Sequence, residues 1–195
     1  MNFLAHLHLS GNNDQLMIGN FMGDFVKGGN LTGTYAPAIV KGIGLHRAID
    51  QFTDAHQIVK DSKNRLRPKY RHYSGVIVDM FYDHFLAKNW NRFHHETLND
   101  YARGFYSLAR QYEPVFPKKL QSLMPYMIAQ NWLVNYAHTE GLQQALKGMS
   151  RRTSFDSKMD QAVVDLNTHY QAFENEFMEF FPSLRKFSAD WVQLH

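Results

Sequence analysis

The chain has 195 residues, of which 44% are hydrophobic and 14% aromatic, so it has enough apolar surface to fold as a single domain spanning residues 1–195. It contains no cysteine, which excludes disulfide bonds, thiolate nucleophiles and zinc–thiolate sites. The net charge of +3 is too small to argue for nucleic acid, but it favours an acidic protein or a phosphate-bearing substrate.

The start of the chain is not typical of a secretory signal. Its first ten residues have no basic start, and His6 and His8 interrupt their apolar run. No apolar run approaches the roughly 20 residues that are needed to span a bilayer. We therefore expect a cytoplasmic protein that does not enter a membrane.

Apolar residues recur at helical spacing along most of the chain. Residues 1–9 alternate like a strand, although they suit the start of a helix equally well. Pro68 and Pro182 are expected to end the segments before them. The predicted fold is all-α, a single-domain, non-repeating bundle of roughly seven to nine helices. Helices are predicted within residues 15–26, 37–52, 73–89, 98–111, 117–136, 141–149 and 156–181.

The helix that begins near Pro37 carries a stripe of His46, Asp50 and Asp54, four residues apart. Successive members differ by about 40° around the helix axis, so all three project to one side. A histidine and a carboxylate one turn apart form half of a site for a divalent metal ion. Arg47 lies beside the stripe, where it either binds a phosphate or pairs with an aspartate. The alternative is a solvated face of mixed charge.

A second cluster, Asp79, Asp83 and His84, lies in a helix that is otherwise mostly apolar. The two aspartates share one face, where like charges repel each other and lose solvation. A divalent metal ion between them would remove both costs. The alternative is that each carboxylate meets an arginine or a lysine, and this helix alone supports that interpretation at least as well.

Four further residues are candidates. Asp24 lies in an apolar segment and is either a site residue or a helix-terminal residue facing solvent. His6 is a ligand or a substrate contact, although a histidine in such a segment is more often a hydrogen-bonded core residue. Arg151 and Arg152 either hold a phosphate or an acidic protein, or simply end a helix. The basic residues of 60–71 form a solvated face or a docking surface.

Several reaction classes lack their motifs. The chain has no glycine-rich phosphate loop, no Gly-x-Ser-x-Gly nucleophile turn and no His-Glu-x-x-His. Because the candidates are histidines and aspartates, metal-assisted hydrolysis is the chemistry that the sequence supports best.

Five motifs occur in order along about the first 155 residues. They are Met-Asn-Phe-Leu-Ala-His-Leu-His-Leu at 1–9, Gly-Asn-Phe-Met-Gly-Asp-Phe-Val-Lys-Gly at 19–28, Leu-His-Arg-Ala-Ile-Asp-Gln-Phe-Thr-Asp-Ala-His at 45–56, Asp-Met-Phe-Tyr-Asp-His-Phe-Leu at 79–86 with Trp90, and Met-Ser-Arg-Arg-Thr at 149–153. Together they resemble the acyl-carrier-protein phosphodiesterase family. The segment after residue 155 carries no such motif.

The resemblance implies a helical fold, distantly similar to the HD-type metal-dependent phosphohydrolases. It also implies hydrolysis of the phosphodiester that links 4′-phosphopantetheine to a serine of holo-acyl carrier protein, which gives apo-carrier and free 4′-phosphopantetheine. The expected cofactor is Mn²⁺, with Mg²⁺, Fe²⁺ or Co²⁺ as alternatives. The HD signature has His directly before Asp, whereas this chain has Asp83 before His84, so ligand roles do not transfer directly.

The geometry and the resemblance together suggest roles for the candidates. Arg47 is expected to neutralise charge on the phosphate, and Asp54 or His84 to orient the water or protonate the leaving group. Arg151 and Arg152 are expected to hold the acidic carrier, with His6 as a further substrate contact. The expected metal ligands are Asp24, His46, Asp50, Asp79 and Asp83, with His84 as a ligand or a residue behind one.

Two other functions remain open at this stage. The same constellation could hydrolyse a small phosphodiester or a nucleotide, in which case activity would not depend on a folded carrier protein. The chain could also be a non-enzymatic helical module that binds an acidic protein through its basic surface, in which case binding would be insensitive to chelators.

Overall fold

The computed structural model describes residues 1–29, 31 and 33–195, and these contain eleven α-helices and no β-strand. Short 3₁₀ turns join several of the helices. The helices are α1 (Phe3–His8), α2 (Asp14–Met22), α3 (Pro37–Ala55), α4 (Gln57–Tyr70), α5 (Ser74–Lys88), α6 (Leu98–Tyr112), α7 (Lys118–Ala129), α8 (Trp132–Asn135), α9 (Thr139–Ser150), α10 (Ala162–Thr168) and α11 (Tyr170–Leu194).

The predicted all-α class is confirmed, but several helix boundaries differ from the prediction. The segment predicted as one helix over 117–136 is broken at Asn131, whose φ of 44° lies in the left-handed region that asparagine tolerates. The segment 156–181 divides into α10 and α11. Pro68 and Pro182 lie inside α4 and α11 and end neither helix, so the prediction for both prolines was wrong.

Helix α5 lies at the centre of the bundle, and eleven of its fifteen residues are buried. Aromatic rings fill the space between α5 and α11: the ring centroids of Phe81 and Phe173 are 5.2 Å apart, and those of Tyr82 and Phe177 are 5.6 Å apart. Such edge-to-face pairs add to the free energy gained from burial. Any polar residue of α5 must therefore find its partner inside the protein, because few positions on this helix reach water.

Helices α2 and α3 touch through their backbones. A Cβ atom on Gly19 would lie 2.1 Å from the carbonyl oxygen of Ile39, and one on Gly42 would lie 2.2 Å from that of Leu16. Only glycine fits at these two positions, since any side chain would overlap the neighbouring helix. The close approach brings residues of α2 next to the stripe that α3 carries.

No helix in the described part of the chain combines the length and the apolar character that crossing a bilayer requires.

Replacing Gly42 with alanine should lower the free energy of unfolding by about 1–3 kcal/mol, because the new methyl group has no room between α2 and α3. Urea denaturation followed by circular dichroism measures this. Gly104→Ala in α6 is the control, since a Cβ there meets nothing within 4 Å, and it should stabilise the protein by about 0.5–1 kcal/mol. Equal stabilities for the two variants would contradict the backbone contact.

Candidate metal centre

Three side chains from two helices meet in the interior: His6 of α1, and His46 and Asp50 of α3. One ligand atom from each lies within 4.8 Å of the others. His6 Nε2 is 3.2 Å from Asp50 Oδ1, and His46 Nε2 is 3.2 Å from Asp50 Oδ2. The two imidazole rings stack with centroids 4.0 Å apart, so both Nε2 atoms face the same carboxylate.

Asn20 of α2 holds both imidazole rings from behind. His46 Nδ1 lies 2.7 Å from the Asn20 backbone oxygen, and His6 Nδ1 lies 2.8 Å from Asn20 Oδ1. The Asn20 Nδ2 group donates to the His6 carbonyl oxygen at 2.7 Å and to Ser10 Oγ at 2.9 Å, so Oδ1 must be the acceptor. Both Nδ1 atoms therefore carry hydrogens. Metal-binding histidines are commonly fixed in this way, with Nε2 left for the ion.

His6 Nε2 is buried and has no hydrogen-bond partner in the described structure, although it lies close to Asp50. A buried polar atom without a partner costs free energy, so such atoms are rare unless they serve a ligand. The residues present suit a divalent cation, since they combine imidazole nitrogen with carboxylate oxygen. His6, predicted as a substrate contact, thus lies where a metal ligand would lie.

The protonation states of the side chains in the cluster depend on one another. Burial alone would lower the pKa of His46, but hydrogen bonds to Asp24 and Asp50 raise it to about 9. Burial alone would raise the pKa of Asp50, but His46 and His6 outweigh it and hold that pKa well below its usual range. Burial, with the charge of His46, lowers the pKa of His6. A metal ion would replace the proton on His46, since a histidine ligand must be neutral.

Asp24 reaches the same cluster from the 3₁₀ turn that follows α2. Its Oδ1 atom lies 3.2 Å from His46 Nε2, and the hydrogen bond from His46 lowers the pKa of the Asp24 carboxyl. Gly23 makes this possible, because a Cβ there would lie 2.2 Å from His46 Cγ. The turn packs directly on the His46 imidazole, so Asp24 joins the cluster through that ring.

A cleft of about 260 Å³ opens beside the cluster. Asp24, Asp50, Asp54 and Asp79 line it, together with Met1, whose ammonium group lies 3.0 Å from Asp79 Oδ1 and 3.8 Å from Asp50 Oδ1. Of the five predicted metal ligands, the structure brings four together at the cluster and the cleft: Asp24, His46, Asp50 and Asp79. Asp54 also lines the cleft.

Asp83 does not join them. Its two oxygens accept hydrogen bonds from the backbone N–H groups of Asn2, Leu4 and Ala5 at 3.3, 2.7 and 3.2 Å, at the start of α1. Burial raises the pKa of Asp83 to about 7, although the three N–H groups oppose this. The expectation that Asp83 binds a metal does not agree with this placement, because its oxygens already hold the first turn of α1.

His84 also points away from the cleft. Its Nδ1 atom lies 2.8 Å from the Tyr136 carbonyl oxygen, and its Nε2 atom lies 2.9 Å from the Tyr170 hydroxyl group. Both ring nitrogens are thus used within the protein. The structure does not bring His84 to the cluster, because adjacent residues of a helix point about 100° apart and Asp83 and His84 therefore face different neighbours.

The predicted arginines lie at the surface. Arg47 donates to the carbonyl oxygens of Val26 at 3.3 Å and Gly28 at 2.7 Å, so it fixes the chain that follows Asp24. Arg151 and Arg152 are exposed in the turn after α9. Arg152 lines a groove that shares Met149 with the cleft.

Two residues of the site were missed from the sequence. Asn20 is fully buried, and Asn2 lines the cleft. An asparagine between apolar residues of a helix is a usable signal, because a buried amide must find hydrogen-bond partners. Asn2 carries no comparable signal, since nothing around it shows that the start of the chain is enclosed.

Replacing Asp83 with alanine should lower the free energy of unfolding by about 1–3 kcal/mol, because the hydrogen bonds that its carboxyl group accepts are lost and the N–H groups of Leu4 and Ala5 remain buried. Asp54→Ala is the control. Its exposed carboxylate pairs with Lys63 at 2.5 Å, and its removal should change stability by no more than about 1 kcal/mol. Urea denaturation compares the two, and an Asp83→Ala protein as stable as the control would contradict the structural role.

Comparison with known proteins supports the family resemblance that the five sequence motifs indicate. The family model "Acyl carrier protein phosphodiesterase" matches residues 1–184. Curated relatives carrying that name include a protein of Enterobacter sp. (strain 638), 38% identical over 94% of this chain and 95% of its own length, and one of Yersinia pestis, 35% identical over 95% and 96%. A third, from Photorhabdus laumondii, is 37% identical over 93% of this chain and 92% of its own.

No solved structure matches the chain, so the likeness to HD-type phosphohydrolases stays a prediction. The family match covers both elements of the cluster and extends beyond the last of the five motifs. On this extent and on the identities above, the chain belongs to the acyl carrier protein phosphodiesterase family.

Proposed function

We propose that this protein is a metal-dependent phosphoric diester hydrolase that cleaves the bond between 4′-phosphopantetheine and the serine of holo-acyl carrier protein. Apo-carrier and free 4′-phosphopantetheine are the products. Membership of the family supports the reaction. One observation carries the metal dependence: two imidazole Nε2 atoms, each fixed from behind by Asn20, converge on Asp50.

The charge of the cleft supports a role for a divalent cation. Asp24, Asp50 and Asp79 line it and outnumber the Met1 ammonium group that pairs with two of them, so a phosphodiester anion would be repelled. A divalent ion among these carboxylates would make the interaction between the cleft and the phosphodiester attractive. Mixed nitrogen and oxygen ligands suit Mn²⁺, with Fe²⁺ or Co²⁺ as close alternatives, whereas Mg²⁺ prefers oxygen ligands alone.

We assign His6, His46, Asp50 and Asp24 as the residues that hold the ion, with Asp79 as a further carboxylate at the cleft wall. When bound, the ion supplies Lewis-acid stabilisation of the charge that develops on the phosphate. In this proposal Asp83 and His84 are structural, because both are engaged elsewhere.

Asp54 is the residue we assign to proton transfer. It lies on the rim of the cleft one turn beyond Asp50, and Lys63 orients its carboxylate at 2.5 Å. A carboxylate in that position can accept a proton from the attacking water and return one to the departing serine oxygen. Arg47 supports the site indirectly, through the backbone it holds behind Asp24.

The carrier protein is acidic, so it should dock on a basic surface. Three of the six cations predicted for this purpose in residues 60–71 are already paired: Lys63 with Asp54, Arg65 with Glu176, and Lys69 with Asp165. Arg151 and Arg152 are exposed and shortly follow Met149, which lines the cleft. We therefore favour the turn after α9 as the part of the surface that holds the carrier.

Mass spectrometry of holo-acyl carrier protein tests the proposal directly. After incubation with the protein and Mn²⁺, the carrier should lose the mass of one 4′-phosphopantetheine group, and EDTA should prevent the loss. An unchanged carrier in the presence of folded, metal-loaded protein, together with hydrolysis of bis(p-nitrophenyl) phosphate, would favour an enzyme that acts on small phosphodiesters.

Replacing His6 with glutamine should lower turnover of holo-carrier by about 100-fold or more, because Lewis-acid stabilisation worth several kcal/mol depends on its Nε2 atom. His8→Gln is the control on the same helix, since its ring packs against Trp90 and Phe181, away from the cluster. Rates are compared at saturating Mn²⁺ after circular dichroism has shown equal helix content. An equal loss of turnover in both variants would contradict the assignment of His6 as a residue that holds the metal ion.

Replacing Asn20 with leucine should weaken Mn²⁺ binding about 10- to 100-fold, since the His6 ring and the His6 backbone lose the hydrogen bonds that orient them, whereas His46 keeps its bond to the backbone oxygen of residue 20. Isothermal titration calorimetry with Mn²⁺ measures the effect without substrate. Ser10→Ala removes one hydrogen bond to the same asparagine but none to either ring, so it should bind Mn²⁺ like the unaltered protein. Unchanged affinity in Asn20→Leu would refute the orienting role.

A further inference from the structure

A groove of about 290 Å³ lies between α7, α8 and α9. Its walls are largely apolar and aromatic, and Tyr126 exposes 63% of its surface there. Trp132 is fixed by a hydrogen bond from its Nε1 atom to Gln130 Oε1 at 3.0 Å. Exposed apolar surface of this kind is a common mark of a binding site. The residues that line the groove include Tyr126, Trp132, Tyr136, Gly148, Met149 and Arg152.

The groove adjoins the acidic cleft at two points. Met149 lines both of them. Tyr136 lines the groove, and its hydroxyl group accepts a 3.4 Å hydrogen bond from Asn2 Nδ2, while Asn2 lines the cleft. The cleft and the groove are therefore neighbours, so a substrate that is held by its phosphate in the cleft has the groove next to it.

Specific backbone features create this space. The left-handed conformation of Asn131 separates α7 from α8. Gly141 lets α9 approach α8, because a Cβ there would lie 2.2 Å from the Asn135 carbonyl oxygen. Gly148 leaves the groove wall without a side chain, and a Cβ built on it meets nothing within 4 Å.

We propose that this groove binds the pantetheine arm of the substrate, the flexible chain of two amides and a thiol that is attached to the phosphate. The proposal rests on the proposed function. The groove's volume of about 290 Å³ lies just below the ~300–1,000 Å³ range of small-molecule sites, which suits a narrow ligand. Its composition also fits, since the side-chain amides of Asn135 and Gln144 lie among apolar walls, and amide groups are the polar part of such an arm.

A segment of the carrier protein is a poorer occupant. An acidic segment would need several cations, and among the described residues that line the groove only Arg152 is charged. Arg152 lies at the groove, where its charge suits the phosphate end of the arm. Arg151, its neighbour, does not line the groove, so the two arginines differ in role: Arg152 contacts the prosthetic group and Arg151 the carrier.

Filling the groove tests the proposal. In Gly148→Phe the ring enters the groove without a clash at Cβ, so binding of free pantetheine, measured by isothermal titration calorimetry, should weaken at least 10-fold. The KM for holo-carrier should rise at least 10-fold as well. Hydrolysis of bis(p-nitrophenyl) phosphate, which has no such arm, should be unchanged. Gly104→Phe in α6, where a Cβ also meets nothing within 4 Å, should behave as the unaltered protein in all three assays.

Two results would overturn the proposal. One is a Gly148→Phe protein that binds pantetheine and turns over holo-carrier normally. The other is an equal loss of affinity for apo-carrier, which lacks the arm, because the groove would then be a docking site for the protein. Failure of the proposed function itself would look different: the unaltered protein would leave holo-carrier intact, while the calorimetric titration would still report whether pantetheine occupies the groove.

Discussion

The candidate metal centre depends on one asparagine. Asn20 fixes His46 through its backbone oxygen and His6 through its side chain, and it also binds the backbone that carries His6. Its neighbour Gly19 is the point where α2 touches α3. The helix contact and the hydrogen-bond network are therefore linked, because the backbone oxygen of Asn20 on α2 lies close to the ring of His46 on α3.

A buried charge serves the same centre from the other side. Helix α1 has only six residues, too few to be stable alone, yet it must present His6 accurately. Asp83 binds the N–H groups of its first turn, where a negative charge is favoured by the helix dipole. Asp83 of α5 thus positions α1, and α1 in turn positions His6. A carboxylate that looks catalytic in the sequence thus works by placing a different residue.

Much of this could be predicted from the sequence, and the limits have physical causes. The spacing of His46 and Asp50 on one helix predicted their meeting, because residues four apart share a face whatever surrounds them. The same rule paired Asp79 with Asp83, but it cannot say which neighbour each meets, and one faces the cleft while the other binds α1. Ligand assignments for these residues stay predictions. Asn20 was missed because hydrogen bonding across helices leaves no spacing pattern.

The crossing of α2 and α3 limits which substitutions the protein tolerates. Cores usually absorb substitutions by small rotations of side chains, but at Gly19 and Gly42 there is no side chain to rotate. The spacing of the two helices is set by peptide groups in direct contact, which are among the stiffest parts of any protein. The separation of the Asn20 backbone oxygen from the His46 ring is therefore fixed by the backbones of α2 and α3 and does not depend on how nearby side chains pack.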